Sequence, residues 1–164
     1  MTSNFKMLHL GNQLCFPLYA ASRLTTKIYS DFLEDLDLTY PQYLVMLVLW
    51  EKDMQTVNQI SHKLYLETNT ITPMLKRLEQ KDIIKRKRST VDERAVIVSL
   101  TRKGKSLQQK AITIPQSIAK SFFSKEVTQI EISTLKKTMV KIVDVLNNNV
   151  NNVKAIKEQS IERY

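Results

Sequence analysis

Two Thr-x-x-Gln strings lie about 17 residues apart, one at Thr39 and Gln42 and the other at Thr56 and Gln59. In such a string the threonine side chain accepts a hydrogen bond from the first turn of a helix, and the glutamine side chain reaches back to the threonine N–H. The close spacing predicts two short, consecutive helices, the first of which carries the apolar run 43–50. This arrangement is typical of a helix-turn-helix region.

A third helix is predicted directly after this pair, over residues 67–81. Its apolar side chains recur at three- and four-residue spacing and give one buried stripe: Ile71, Met74, Leu75 and Leu78. Residues 83–87 and 94–100 are then predicted to be strands joined by a polar loop, because buried and exposed positions alternate along the second segment. A hairpin that follows a helix-turn-helix predicts a winged helix. In this fold the helix directly before the hairpin, here residues 67–81, enters the major groove of DNA.

Long helices are predicted at both ends of the chain. The N-terminal one covers about residues 13–36, and because Pro17 is tolerated best near a helix start, it is expected to begin within a turn of Cys15. Pro115 is expected to kink or break a helix that Thr101 caps. A further capping box at Thr128 and Glu131 opens a last helix, whose apolar side chains have a coiled-coil-like spacing: Leu135, Met139, Ile142, Leu146, Val150 and Val153. This seam exceeds what one small domain buries, so homodimerisation is expected.

The predicted fold is therefore mainly α with a small β-hairpin wing. The two glycines among 164 residues disfavour an all-β fold, which needs many tight turns. We expect one domain over residues 1–164. In it, residues 39–101 form a winged helix-turn-helix, and residues 11–36 and 102–160 form flanking dimerisation helices.

The formal net charge is +9, and one short segment carries most of it. Residues 83–110 hold nine basic side chains and two acidic ones. Such an excess suits a surface that neutralises phosphates, so the charge favours nucleic acid as the partner, with an anionic membrane surface or simple solubility as alternatives. Together with the predicted winged helix, it makes double-stranded DNA the expected partner. The candidate DNA-binding residues lie on the third helix and the hairpin: Thr68, Asn69, Thr70, Thr72, Lys76, Arg77, Lys85, Lys87, Arg88, Asp92 and Arg94.

Some of these assignments have a competing structural interpretation. Threonine and asparagine at a helix start, as in Thr68 and Asn69, are also ordinary helix caps. Asp92 and Arg94 could be mistaken for catalytic groups, but an ion pair that orients Arg94 within the wing is the preferred interpretation.

The sequence carries no catalytic or metal-binding pattern. It has no Gly-rich phosphate loop and no nucleophile elbow, its two histidines are far apart, and one cysteine cannot form a thiolate metal cluster. An enzyme is therefore not expected, nor a metal or a cofactor. The longest apolar run is about 8 residues, well below the roughly 20 of a membrane span, and residues 1–11 lack the layout of a signal peptide. We expect a cytoplasmic protein with no membrane partner.

Cys15 is open to two interpretations. A lone cysteine is usually a small buried hydrophobe. Cys15, however, falls at the predicted start of the N-terminal helix, where free backbone N–H groups and the helix dipole favour a thiolate. Because the thiolate is the form that peroxides oxidise, a redox role is the alternative.

The chain resembles the MarR family of winged-helix bacterial regulators. The helix-turn-helix and the wing string DERAVIVSLT at residues 92–101 match the family's D-x-R…L-T pattern. Four further strings resemble the one-cysteine, organic-hydroperoxide-responsive (OhrR-type) repressors of this family, at residues 14–16, 18–23, 38–44 and 72–79.

This resemblance implies a homodimeric transcriptional repressor, located at the nucleoid when bound to an inverted-repeat operator. It implies that an organic hydroperoxide or another oxidant oxidises Cys15 and that the repressor then releases DNA. Tyr29 and Tyr40 would reach the Cys15 sulfur from the partner subunit, with Tyr19 nearby.

The chain departs from the family at Pro17, where a small or aliphatic residue is more frequent. It also has no second cysteine, so two routes stay open for the oxidised sulfur: capping by a small thiol as a mixed disulfide, or further oxidation. Two alternatives stay open: a MarR-type regulator released by a small phenolic ligand in the dimer cleft, and an architectural protein that binds DNA without sequence preference.

Overall fold

The computed structural model describes residues 4–161, with side chains from residue 5 to residue 153. It forms two compact units, one that ends at Pro115 and one that begins at Gln116. The predicted class, mainly α with a small wing, is confirmed. In chain order the elements are short 3-10 helices at Asn4–Leu8 and Leu10–Asn12, α1 Cys15–Leu33, a 3-10 helix at Glu34–Leu36, α2 Tyr40–Glu51, β1 Gln55–Thr56, α3 Val57–Leu64, α4 Thr68–Gln80, β2 Ile84–Arg88, β3 Val96–Leu100, α5 Arg102–Ala111, α6 Ile114–Lys120 and α7 Gln129–Ile161.

Helix α1 begins at Cys15, so the predicted start within a turn of Cys15 is confirmed. Pro17 lies in the first turn, where a backbone N–H has no acceptor within the helix. The helix ends at Leu33 rather than Leu36, because the next residues tighten into a 3-10 turn and Asp37 takes a left-handed backbone with φ of 51°. Aspartate is one of the few residues that tolerate this conformation.

The predicted capping boxes lie at the starts of α2 and α3. At α2, the Thr39 N–H donates to Gln42 Oε1 at 3.0 Å. At α3 both halves form, because the Thr56 N–H donates to Gln59 Oε1 at 2.8 Å and the Gln59 N–H donates to Thr56 Oγ1 at 3.1 Å. The predicted helix-turn-helix is therefore confirmed.

The core of the first unit forms where α4 contacts α2 and α3. The predicted stripe of α4 faces inward: Ile71, Leu75 and Leu78 are fully buried, and Met74 is half-buried. Large apolar side chains from the neighbouring elements complete this core: Leu33, Tyr43, Met46, Leu49 and Ile60.

The three strands form an antiparallel sheet in the order β1-β3-β2. β3 begins at Val96, two residues later than predicted, because residues 89–95 form the turn and the Ser89 N–H donates to the Ala95 carbonyl at 2.8 Å. Only Val98 is fully buried in this central strand, and its neighbours are half-buried on both faces. The sequence did not predict β1, since two residues are too few for a period-two pattern.

The C-terminal helices show the predicted break and the predicted capping box. Pro115 breaks the helix that Thr101 caps, so that α5 ends at Ala111 and α6 starts at Ile114. In the second unit, the Thr128 N–H donates to Glu131 Oε2 at 2.8 Å and opens α7. Four side chains of the α7 seam are 52–55% exposed in the single chain: Leu135, Leu146, Val150 and Val153. In the described part of the chain, no helix has the length and apolarity needed to cross a membrane.

Candidate nucleic-acid interface and cysteine site

The solvent side of α4 begins with short polar side chains. Thr68, Asn69 and Thr70 are exposed, and the Thr72 hydroxyl donates to the Thr68 carbonyl at 2.7 Å. The residue at the N-cap position is Glu67, so the alternative assignment of Thr68 and Asn69 as caps does not apply here. The first turn of α4 therefore presents hydroxyl and amide groups of the kind that hydrogen-bond base edges.

Two cations follow on the same helix. Lys76 and Arg77 are exposed, and neither is within ion-pair distance of an acidic group among the side chains from residue 5 to residue 153. Cations on long, solvent-exposed side chains are suited to phosphate contacts, which fix the position of a protein on the duplex.

The four consecutive cations of β2 do not share one role. Arg86 is half-buried and its guanidinium donates to Glu79 Oε2 at 2.6 Å and 3.0 Å. These hydrogen bonds hold the pKa of the Glu79 carboxyl below its ordinary value. Lys85 and Lys87 lie on the opposite face of the strand from Arg86, because successive side chains alternate. Lys85, Lys87 and Arg88 are exposed.

An open cavity of about 420 Å³ lies between the start of α4 and the wing. It brings together side chains that are far apart in the sequence, among them Thr68 and Thr72 of α4 and Arg94 of the wing turn. Asn58 of α3 also lines the cavity, although the sequence did not single it out. Its place in the first turn after the Thr56 cap is the signal that could have identified it.

The expected ion pair between Asp92 and Arg94 does not form. Asp92 Oδ1 instead accepts a hydrogen bond from the Arg94 backbone N–H at 3.0 Å. A carboxylate two residues ahead of an N–H is well placed for this local turn, which competes with a bond to the guanidinium. Asp92 therefore shapes the wing turn, and the Arg94 side chain is exposed.

Cys15 is the first residue of α1, and its thiol is exposed in the single chain. Tyr19 follows one turn later and is 60% exposed. Tyr29 lies fourteen residues further along the same helix, about 21 Å away at 1.5 Å per residue. One chain therefore does not bring Cys15 and Tyr29 together. In the described ranges, no three His, Cys, Asp or Glu side chains are grouped so that they could hold a metal ion.

Tyr29 and Tyr40 do come together, with ring centroids 4.6 Å apart. Tyr43, which the sequence did not single out as a site residue, packs against Tyr29 at 5.7 Å. Its position three residues after Tyr40, on the same side of α2, is the signal that could have identified it. Burial raises the pKa of Tyr29 and Tyr40, and the neighbouring phenols raise that of Tyr29 further. Their hydroxyls are therefore protonated hydrogen-bond donors at neutral pH.

Comparison with known proteins gives the family. The SarA/Rot family of transcriptional regulators matches residues 27–111, about half of the chain. The chain is 52% identical over 118 residues to the organic hydroperoxide resistance transcriptional regulator of Bacillus subtilis (strain 168), which covers 72% of this chain and 80% of that protein. It is 36% identical to the HTH-type transcriptional regulator MgrA of Staphylococcus aureus, over 82% of this chain and 90% of that one.

Solved structures agree with this result. Reduced AbfR bound to DNA is 37% identical, with a TM-score of 0.73 over 92% of this chain and 99% of that chain. Wild-type MarR from E. coli, in its apo form, is 24% identical with a TM-score of 0.63 over 79% of this chain and 96% of that chain, a likeness of fold. These relatives are regulators with the winged helix found here, so the chain belongs to the SarA/Rot-type, MarR-family winged-helix transcriptional regulators.

Proposed function

We propose that this regulator is a homodimeric repressor that binds operator DNA and releases it when an organic hydroperoxide or another oxidant oxidises Cys15. The 52% identity to a regulator named for organic hydroperoxide resistance supports this class of signal. The single observation that carries the proposal is the placement of Cys15, Tyr29 and Tyr40 on the first two helices.

Cys15 and Tyr29 are separated by almost four turns of α1, so both side chains leave the same side of the helix. A two-fold axis across the middle of α1, near Ser22, would place Cys15 of each copy beside the Tyr29 and Tyr40 pair of the other. Such an interface is isologous, and it forms two identical sites at once. A site that is incomplete in one chain is then complete in the dimer.

Exposed apolar side chains support dimerisation. Leu33 is the one fully buried residue of α1, a helix whose bounds lie entirely within the described residues, and Leu24 is 62% exposed. Four side chains of the α7 seam are exposed to a similar degree: Leu135, Leu146, Val150 and Val153. We propose that residues 11–36 and 102–160 form the dimerisation helices that contact a second copy of the chain. Residues 39–101 are then left to bind DNA.

The chemistry of the site follows from its donors. Tyr29 and Tyr40 would donate hydrogen bonds to the Cys15 thiolate, and Tyr19 lies one turn from it. The thiolate attacks the hydroperoxide, an S–O bond forms, the O–O bond breaks, and the alkoxide leaves as the alcohol after taking a proton. Cys15 becomes a sulfenic acid, which a small thiol converts to a mixed disulfide with loss of water.

We propose that the mixed disulfide is the product that causes the release of operator DNA. It adds bulk between the Cys15 sulfur and the tyrosines, whereas a sulfenic acid adds only a little. A solved structure shows overoxidised AbfR bound to DNA, so in that relative overoxidation is compatible with DNA binding. This supports capping by a thiol over further oxidation of Cys15.

The DNA surface is proposed to consist of α4 in the major groove and the wing in the adjacent groove or on the backbone. Arg94 would enter the groove, Asp92 would hold its turn, and Lys85 and Lys87 would contact flanking phosphates. The remaining assigned residues are Thr68, Asn69, Thr70, Thr72, Lys76, Arg77 and Arg88. A two-fold dimer would select an inverted repeat with half-sites about 34–36 Å apart.

The decisive experiment pairs the state of Cys15 with DNA binding. The protein is treated with cumene hydroperoxide and a small thiol, Cys15 is examined by mass spectrometry, and operator affinity is measured on the same sample. We expect an adduct on Cys15 and at least about a hundredfold loss of operator affinity. The Cys15→Ser variant should bind the operator normally and keep this affinity after the same treatment. Release of the operator by oxidised Cys15→Ser would show that Cys15 is not the sensor.

One observation favours a second candidate, a regulator released by a small aromatic ligand. A partly apolar, open cavity of about 480 Å³ lies beside α2 and α5, with Tyr43, Trp50, Ile112 and Pro115 in its lining. Oxidant-independent release by a phenolic ligand would favour this candidate. An architectural protein, by contrast, would bind operator and random duplex equally, whereas a specific regulator prefers its operator by about 10³ or more.

A further inference from the structure

A row of aromatic side chains leads from the tyrosine pair along α2. Tyr40, Tyr43 and Trp50 lie on one side of this helix, and Tyr29 of α1 packs against the first two rings. Tyr43 is 1% exposed, and its ring contacts Trp50 edge-on at 6.0 Å. We call these four side chains the aromatic row. It connects α1 to the C-terminal end of α2 without a gap.

Trp50 joins the aromatic row to α5. Its Nε1–H donates to the carbonyl oxygen of Gly104 at 2.9 Å, in a partly buried position. This hydrogen bond links residues that are 54 positions apart in the sequence. It therefore ties the first turn of α5 to the end of α2.

Gly104 in turn lies directly on the start of the wing. A Cβ atom at this position would collide with the Ile83 carbonyl oxygen, so only glycine allows α5 to approach so closely. Thr101 Oγ1 accepts from the Gly104 N–H at 3.0 Å and donates to the Asp82 carbonyl at 2.7 Å. Because this junction is so tightly packed, a displacement of Gly104 also displaces the residues that begin β2.

We propose that Trp50 is a positioning residue that transmits a displacement of the Tyr29 and Tyr40 pair to the wing through its hydrogen bond to Gly104. The inference rests on the proposed function, since it requires that oxidation of Cys15 moves this tyrosine pair. Packed rings change between discrete arrangements rather than deforming continuously. A shift at Tyr29 therefore reaches Trp50 as a reorientation of the indole, and Gly104, against which the wing begins, loses its hydrogen bond to α2.

The first test uses the wild-type protein. Trp50 is the one tryptophan in the sequence, so the emission of the protein reports the surroundings of this indole. The full chain is oxidised with cumene hydroperoxide and a small thiol while emission and operator binding are followed. We expect the emission to change with operator release, and neither to change in Cys15→Ser. Operator release with unchanged emission would overturn the role of Trp50 and leave the proposed function intact, whereas release by Cys15→Ser would contradict the proposed function itself.

The second test removes the donor. Trp50→Phe keeps an aromatic ring in the row but cannot bind the Gly104 carbonyl. We expect the ratio of operator affinities of the reduced and oxidised forms to fall about tenfold, while the rate of Cys15 oxidation is unchanged. Ser106→Ala, an exposed change on the same helix α5, is the matched control and keeps the wild-type ratio. A structural role alone would weaken both forms equally, so an unchanged ratio in Trp50→Phe would overturn the proposal.

Discussion

Arg86 donates two guanidinium hydrogen bonds to Glu79 Oε2 and its backbone N–H to Glu79 Oε1, with distances of 2.6 to 3.0 Å. Glu79 belongs to α4 and Arg86 to β2, so this contact fixes the wing against the helix that we assign to the major groove. One cation of the basic hairpin is thereby used within the protein. Its neighbours Lys85, Lys87 and Arg88 are exposed to solvent.

Glu79→Gln is expected to lower the free energy of unfolding by about 1 kcal/mol at neutral pH, a value reduced for screening because the Glu79 side chain is 37% exposed. The pKa of Glu79 is lowered in the folded state, so its contribution is complete above the ordinary value of 4.5 and is lost as the pH falls through the folded value. Urea unfolding between pH 3 and pH 7 measures this, with Glu93→Gln as an exposed control. A difference from wild type that grows on acidification would contradict the assignment.

Loss of the two α4 cations should flatten the salt dependence of operator binding. Each phosphate contact contributes about 0.9 to the slope of log K against log[salt], so Lys76→Ala with Arg77→Ala should reduce the slope of a dimer by about 3.6. The double variant Lys136→Ala with Lys137→Ala, a neighbouring pair on α7, is the matched control. If both double variants kept the wild-type slope, α4 would not supply these phosphate contacts.

Variants of Arg94 and Asp92 in the wing turn distinguish the role of a side-chain charge from the role of a backbone hydrogen bond. Arg94→Ala should weaken operator binding by about 1–3 kcal/mol, because a groove or phosphate contact is lost. Asp92→Asn should bind nearly as well as wild type, since an amide oxygen can still accept the Arg94 N–H, whereas Asp92→Ala should lose affinity. Equal losses in Asp92→Asn and Asp92→Ala, measured by titration at fixed salt, would instead require the carboxylate charge.

Tyr29→Phe and Tyr40→Phe should each slow the oxidation of Cys15 by about three- to tenfold, because the thiolate loses a hydrogen-bond donor. The rate is measured as loss of free thiol after mixing with cumene hydroperoxide. Tyr65→Phe, at an exposed turn after α3, is the control and should react at the wild-type rate. Unchanged rates in all three variants would show that Tyr29 and Tyr40 take no part in the oxidation of Cys15.

Ser22→Arg should shift the protein from dimer to monomer. Ser22 is the midpoint between Cys15 and Tyr29, and a long charged side chain there would separate two α1 helices at their proposed crossing. Sedimentation velocity measures the change, and Ser106→Arg on α5 supplies the same substitution away from α1. A dimer that survives Ser22→Arg, or an operator footprint without two-fold symmetry, would contradict this arrangement.

Helix starts could be predicted because their evidence is local. In each capping box the donor and acceptor are three residues apart, as in Thr56 and Gln59, so a short stretch of sequence contains the complete interaction. The same holds for the break at Pro115 and the start of α1. The sequence predicted the start of β3 two residues too early, because the Ser89 N–H donates to the Ala95 carbonyl and extends the turn, a contact that composition does not reveal.

The sequence by itself determined the class of fold, the order of the main helices and the two wing strands, and the position of Cys15 at a helix start. Only the tertiary structure decided that Arg86 binds Glu79, that Gln55 pairs with Val98, and that Trp50 binds Gly104. These contacts join elements whose relative positions depend on how the buried faces of several helices pack together. A capping partner is fixed by the geometry of one helical turn, whereas a partner tens of residues away is fixed by the whole core.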